Sequence, residues 1–340
     1  MAMATLAVPI PAIEPQSGGS TSSSCTPSVM YSWRVAALDT WIARKEAELG
    51  RPITMKDMMT AGHLDQYHYL GLDANDDVIQ ILQVGKDSRI LDIGCGIGGP
   101  GRYIAHKTGC SVYGVDIQEP LIEAANRVSK KVGLATQTKF DAADCTAGNF
   151  TFPAGETYDG FFSILVFLHI PLEPRLIAYR KIFAALNDNA SFVIEDYLQR
   201  ESLSEEERYC LENVIGAVCT PSVDDYRKHL EDIGFVDIHF EDLSDVWTKW
   251  TVLRRDRFLA NRGKQAELHG EEHVAKMETF YRAPPQLFQS GKVGGYRITG
   301  RKAGNTTLAA GRKAMEEKRT NEMTMEAVER ILDAQKTVSA

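Results

Sequence analysis

Three carboxylates and a run of glycines are the residues of this chain whose spacing points to chemistry. Asp92 lies two residues before Gly94, in the run Arg89-Ile90-Leu91-Asp92-Ile93-Gly94-Cys95-Gly96-Ile97-Gly98-Gly99-Pro100-Gly101. A turn this rich in glycine, between an apolar strand and a helix, lets backbone lie directly against a ligand. Asp116 ends the next apolar run, Ser111 to Val115, and an acid there accepts hydrogen bonds from ribose hydroxyls. Asp144 follows the third run, Lys139 to Ala143, where an adenine amino group can be read. Gly94, Gly96 and Gly99 also satisfy G-x-G-x-x-G, so a nicotinamide dinucleotide and another nucleoside cofactor compete for the turn.

Asp92 separates the two. In a dinucleotide fold the turn and the helix N-terminus cradle a pyrophosphate, and a carboxylate so close would repel it. S-adenosylmethionine offers an ammonium and a sulfonium at the same place, and a carboxylate attracts both. The segments LDIGCGIGGPGRYIA, GCSVYGVDI, DAADC and FSILVFLHI together resemble the class I S-adenosylmethionine-dependent small-molecule methyltransferases. The GIGGPGRYIA form is similar to that of the glycine, sarcosine and dimethylglycine N-methyltransferases and, more loosely, of the tocopherol and sterol methyltransferases. The upstream run Gly62-His63-Leu64-Asp65-Gln66-Tyr67-His68-Tyr69-Leu70-Gly71 strengthens the likeness, which extends well over residues 55 to 200 and loosely over 220 to 302. It implies a cofactor site lined by Asp92, Gly94, Cys95, Gly96, Gly98, Asp116, Ile117, Asp144, Cys145 and Leu165.

Methyl transfer from a sulfonium is an in-line displacement that needs a close, aligned and dry acceptor but no covalent nucleophile. An amine acceptor must be neutral when it attacks, which a base can ensure. His169, His68 and Tyr67 are the candidates for catalysis, with Tyr197 beside them; His169 ends an apolar strand, where a structural histidine fits as well. Tyr67, Tyr69, Trp247, Trp250 and Tyr281 would form a cation-binding aromatic cage if they met at the mouth of the pocket, and core packing is the competing account. One of Arg254, Arg255 and Arg257 could pair with a substrate carboxylate, unless all three are solvated helix charges. Asp196 either orients an amine or caps a turn. Cys95 is read as a small filler.

The expected reaction is methylation of the nitrogen of a small amino acid or amine. S-methylation of a thioether acid and C-methylation of a prenyl or sterol-like acceptor stay open, with an NAD-dependent oxidoreductase as the reading from another class.

The elements that must carry these residues alternate: strand 89–93, helix 100–108, strand 111–115, helix 120–132, strand 137–141, strand 159–166, helix 173–186 and strand 191–197. Such alternation predicts an α/β fold, a Rossmann-like seven-stranded, mostly parallel sheet with helices on both faces and ligands beyond the carboxyl ends of the strands. A capping box at Ser204 opens a helix, another covers about 223 to 232, and strands follow near 236–240 and 295–301. Residues 245–290, between these last strands, exceed a minimal connection and are expected to form two helices that act as a lid. The organisation expected is a disordered tail over 1–28, an N-terminal helical cap over 29–84 that includes an amphipathic helix from Ser32 to Leu49, the main domain over 85–302, and a charged helical tail over 303–340.

With 340 residues, 44% of them hydrophobic, the chain can build a large core. A net charge of −8 argues against nucleic acid, whose binding needs a basic field. The partner expected is a small-molecule acceptor. No run reaches the ~18 apolar residues of a membrane span. Cys25, Cys95, Cys110, Cys145, Cys210 and Cys219 show neither C-x-x-C spacing nor a disulfide pattern, so no metal is expected and the compartment expected is the cytoplasm. The first arginine is Arg34, which favours a plain tail over a transit peptide.

Overall fold

The computed structural model describes residues 33–303. The strands β1 (Arg89–Ile93), β2 (Ser111–Asp116), β3 (Thr138–Ala142), β4 (Tyr158–Ile164), β5 (Leu186–Gln199), β6 (Phe235–Asp242) and β7 (Val293–Lys302) form one sheet in the order β3-β2-β1-β4-β5-β7-β6. β1 to β5 run parallel, and β7 inserts antiparallel between β5 and β6. The helices preceding β7 are α1 (Trp33–Leu49), α2 (Met55–Met58), α3 (Leu72–Leu82), α4 (Gly99–Thr108), α5 (Glu119–Lys131), α6 (Leu172–Ala185), α7 (Glu205–Tyr209), α8 (Val223–Glu231), α9 (Ser244–Ala260), α10 (Arg262–His269) and α11 (Glu271–Gln289).

Period-two alternation sorts the strand side chains to the two faces. Ile90, Val112, Phe162 and Val193 pack with Val78 and Leu82 of α3, Ile104 of α4, Leu121 and Val128 of α5, and Leu38 and Trp41 of α1. Their neighbours Leu91, Ile93, Phe161, Phe192 and Ile194 pack with Tyr179 and Ile182 of α6 and Leu230 of α8 on the other face. A third cluster sits beyond the end of β5, where Tyr69, Leu70, Tyr197, Leu211 and Ile215 meet Trp247, Trp250, Leu287 and Phe288.

The sheet and its helices match the expected α/β class. The insertion does not match in detail: it holds three helices rather than two, because Asn261 and then Gly270, at φ +84°, end α9 and α10 in turn. The helix opened by Ser204 has the expected capping box but passes after Tyr209 into a π-helical turn, Cys210–Ile215, which Gly216 stops in the left-handed region. Among the described residues no helix is long and apolar enough to cross a membrane, and no group of His, Cys, Asp and Glu could hold a metal. The tail expected over 1–28 and, from residue 304 on, the tail expected over 303–340 lie outside the described residues.

Candidate active site

The turn after β1 is closed by Val115 of β2, whose carbonyl accepts from the amides of Gly94 (2.8 Å) and Cys95 (3.1 Å). Gly94, Gly96 and Gly98 stand at φ +74°, +53° and +73°. A β-carbon on Gly96 would meet nothing, so bare backbone faces open space there. Asp116 is fixed at its edge: Oδ2 accepts from the Gly96 amide and Oδ1 from the Gln118 amide, both at 2.9 Å. Each carboxylate oxygen keeps a lone pair for a further donor. Ile117, beside it, is 48% exposed, a large apolar side chain waiting for a cover.

Asp92 is 3% exposed, and its Oδ2 has no hydrogen-bond partner. Burial, reinforced by the charge of Asp116, pushes its carboxyl well above the usual range, against the pull of the Gly101 amide and Arg102. The Asp92 carboxyl is thus an orphan buried polar group beside an open glycine turn. Cys95 is buried, and its thiol is pushed up by burial and by Asp92 and Asp116, which makes it an inert filler. Asp144 accepts through Oδ1 from the amide (2.8 Å) and hydroxyl (2.6 Å) of Thr146, while burial raises the neighbouring Cys145 thiol to about 12. Leu165, just past β4, takes φ +57° and donates its amide to Glu195 O at 2.8 Å. The ten residues expected around a cofactor thus gather at the carboxyl ends of the adjacent strands β3, β2, β1 and β4.

The segment before α3 lies across this turn. The Asp65 carbonyl would be 1.8 Å from a β-carbon on Gly99, so only glycine admits the crossing. Asp65 also pairs with Arg102 at 2.5 Å, both fully buried, and Arg102 donates to Ile97 O and Ala125 O from α4. His68 is buried, with Nδ1 2.9 Å from Tyr69 O and Nε2 3.2 Å from Gln66 Oε1, two acceptors of which a neutral imidazole can donate to one. Burial drives it neutral, down to about 4. Tyr67 stacks on His63 at 4.2 Å between rings and under the guanidinium of Arg34 at 3.7 Å. Burial raises its phenol to about 12, so it stays protonated.

His169 follows β4 in a short 3₁₀ turn, Phe167–His169, with Nδ1 2.8 Å from Gly216 O. That contact selects the tautomer donating from Nδ1, which leaves Nε2 as an acceptor. Burial lowers its pKa and keeps it neutral. Asp196 is fully buried on β5 and raised by burial to about 7; it accepts from the Tyr197 amide and, at 3.4 Å, from Tyr226. These bonds make it neither an exposed turn cap nor an open carboxylate.

The aromatic cage needs correction. Trp247 and Trp250 are both 0% exposed, packed with Tyr69, Tyr197 and Phe288, and the ring of Trp247 lies against Gly295. They belong to the core because α9 lies directly on β7. Tyr69 is buried with them and hydrogen-bonds Tyr197. Of the five aromatics Tyr67, Trp250 and Tyr281 lie by the partly exposed Arg254, which bonds His63 and, at 3.0 Å, the Tyr281 hydroxyl.

Sequence reasoning missed the roles of Arg34, His63, Asp65 and Arg102. Only the DQ-x-H-like run hinted at them, since the partners lie up to 191 residues apart. A groove at the opposite, amino-terminal edge of β1 to β3, lined by Arg89, Tyr113, Lys139, Glu156 and Tyr158, contains none of the site residues.

Residues 90–189 match the methyltransferase domain family. The chain is 29% identical over 198 residues to phosphoethanolamine N-methyltransferase 1 of Triticum aestivum, covering 58% of this chain and 38% of that protein. It is 31% identical over 169 residues to sarcosine/dimethylglycine N-methyltransferase of Halorhodospira halochloris, covering 47% and 56%. It therefore spans only about two fifths to three fifths of the lengths of these curated relatives. Haemonchus contortus phosphoethanolamine N-methyltransferase 2, solved in complex with S-adenosyl-L-methionine, has the same fold, with a TM-score of 0.61 at 18% identity over 72% of this chain and 57% of that one.

Proposed function

From the premise that this chain carries the domain of the S-adenosylmethionine-dependent methyltransferases, we propose that it transfers a methyl group to the nitrogen of a small amine or amino acid. The observation that carries the reading is the Asp92 carboxyl, buried with one oxygen unpartnered against a glycine turn whose backbone is open at Gly96. The cofactor supplies a methyl carbon on a positively charged sulfur, at the end of a chain bearing an ammonium. Asp92 would hold the ammonium, Asp116 the ribose hydroxyls, Ile117 one face of the adenine and Asp144 its amino group, with Gly94, Cys95, Gly96, Gly98, Cys145 and Leu165 as walls. A pyrophosphate in the same turn would meet the carboxylate charge instead, which disfavours a dinucleotide.

The protein's own part is to keep the acceptor neutral, aligned and dry. His169, held neutral with Nε2 as an acceptor, suits removal of the proton an amine must lose. Tyr67, held as a phenol, suits hydrogen bonding to the acceptor, and His68, buried with its ring between Tyr69 O and Gln66 Oε1, positions the segment that carries it. The names of the two curated relatives, both nitrogen methyltransferases, support nitrogen as the atom methylated.

The test is transfer of labelled methyl from S-adenosylmethionine to a panel of amines, amino acids, thioether acids and prenyl acceptors. Label is expected on an amine nitrogen, with turnover lost in His169→Ala while cofactor affinity stays within a few-fold. Label only on a thioether or prenyl carbon would move the chain to another acceptor class, and no binding of the cofactor would end the methyltransferase reading.

A further inference from the structure

The helices of the insertion carry several arginines, and most are neutralised. Arg255 holds Asp256 at 2.8 Å, Arg262 holds Glu278 at 2.6 Å and also Glu271, and Arg282 holds Glu278 at 2.8 Å. Arg254 differs. Among the described residues it faces no carboxylate; its Nη2 bonds the imidazole of His63 and the phenol of Tyr281. Its guanidinium carbon lies 4.6 Å from the ring centre of Tyr281, 5.0 Å from Trp250 and 5.5 Å from Tyr67.

The charge around it is positive. His63 is held neutral by burial and by the charges of Arg254 and Arg34, and it receives the Arg254 bond at Nε2 while Nδ1 lies 3.1 Å from Gln66 O. Arg34 stacks on Tyr67, the ring that Arg254 also approaches. On the same segment as His63, Asp65 is committed to Arg102. A partly buried guanidinium with neutral neighbours keeps donors for an anion, because its planar fork has five N–H groups and only Nη2 is engaged with described residues. The same segment that carries His63 and Tyr67 crosses the glycine turn, so an anion bound here lies beside the proposed transfer site.

We propose that Arg254 is a specificity-determining residue that binds an anionic group, a carboxylate or a phosphate, on the methyl acceptor, so that the substrate is a small amine with an acidic tail. The proposal rests on the methyltransferase reading above.

The test uses the full chain loaded with S-adenosylhomocysteine, titrated calorimetrically with phosphocholine, glycine betaine and choline, three quaternary amines of which only the first two carry an anion. Failure of S-adenosylhomocysteine itself to bind would sink the methyltransferase reading, and the remaining arms judge Arg254. Phosphocholine or betaine is expected to bind at least about tenfold tighter than choline, from charge-assisted bonds to the guanidinium. The stronger of the two identifies the anion as phosphate or carboxylate. Arg254→Gln should remove that advantage while leaving choline and S-adenosylhomocysteine within a few-fold, and Arg254→Lys should restore part of it. Equal affinity of the parent chain for choline and both anionic probes, or no binding of either anionic probe, overturns the proposal whatever the variants do. A parallel loss of S-adenosylhomocysteine and of the anionic probes in both variants would show a structural role and overturns it too.

Discussion

Asp92 is a side chain whose burial costs the protein stability. Its carboxyl is buried with an unpartnered oxygen and is pushed upward, so folding favours the protonated form and the charged form is destabilising as pH rises. Asp92→Asn should therefore raise the melting temperature of the ligand-free chain at pH 8 while weakening S-adenosylmethionine at least about tenfold, the loss expected for a charged hydrogen-bonding partner. Scanning fluorimetry and calorimetry on one preparation read both effects, and unchanged cofactor affinity would remove Asp92 from the site. His63 works in the opposite sense. Its folded pKa lies well below 6.5, so the unfolded chain takes up the proton first, and its contribution is complete above about pH 6.5 and lost as pH falls through the folded value. Asp196, raised to about 7, favours the folded state at low pH, so the parent's own profile mixes the two trends. His63→Gln should lose less stability than the parent between pH 7 and pH 5 in urea denaturation, and identical slopes would show that folding does not shift the His63 pKa. The glycine turn and the three acids were legible because each is a local feature of a strand end. Arg254 and His63 were not read as a pair, since only packing brings residues 191 positions apart together.

The elements were legible where local chemistry decides them. Ser204 with Glu207 forms the capping box its sequence announces, and the parallel strands begin and end within a few residues of the apolar runs. The insertion was harder, because tryptophans at i and i+3 on a helix fit a cage and a core equally well. Gly294-Gly295 in β7 decides between them: a β-carbon on Gly295 would lie 1.9 Å from the Trp247 ring, so the missing side chain is the space the indole occupies. Trp247→Ala should then cost about 3–5 kcal/mol, the range for deleting a large buried aromatic, and Gly295→Ala should also destabilise, by forcing that ring off β7. Urea denaturation measures both. A Trp247→Ala chain as stable as the parent, with a raised acceptor KM, would return the tryptophan to the mouth of the pocket. The buried Arg297, which bonds Glu195 on β5 at 2.5 Å, Asp77 on α3 at 2.9 Å and Glu241 on β6 at 3.2 Å, ties the neighbouring part of β7 to three other elements. That network was not foreseen, because its four members come from four elements.

At the scale of the whole molecule, the strand order reverses between β1 and β4, and a crevice beyond the carboxyl ends at such a reversal is where open α/β sheets bind ligands. β3, β2, β1 and β4 each contribute a terminus to the crevice, and the 62–70 segment closes it from above through the Asp65–Arg102 pair. A cofactor bound there would touch the ends of all four strands, and the unfolded chain, with its strand ends dispersed, would have no site for it. Ligand binding confined to the folded state stabilises by RT ln(1 + [L]/Kd), about 2.7 kcal/mol at a hundredfold excess over Kd. At roughly 2–4 °C per kcal/mol for a domain of this order of size, S-adenosylmethionine should raise the melting temperature by about 5–10 °C. NAD at the same concentration should leave it unchanged, because its pyrophosphate would meet Asp92 in the turn that an ammonium suits. A shift with NAD and none with S-adenosylmethionine would reverse the assignment of the crevice and, with it, the reading of the carboxyl at its centre.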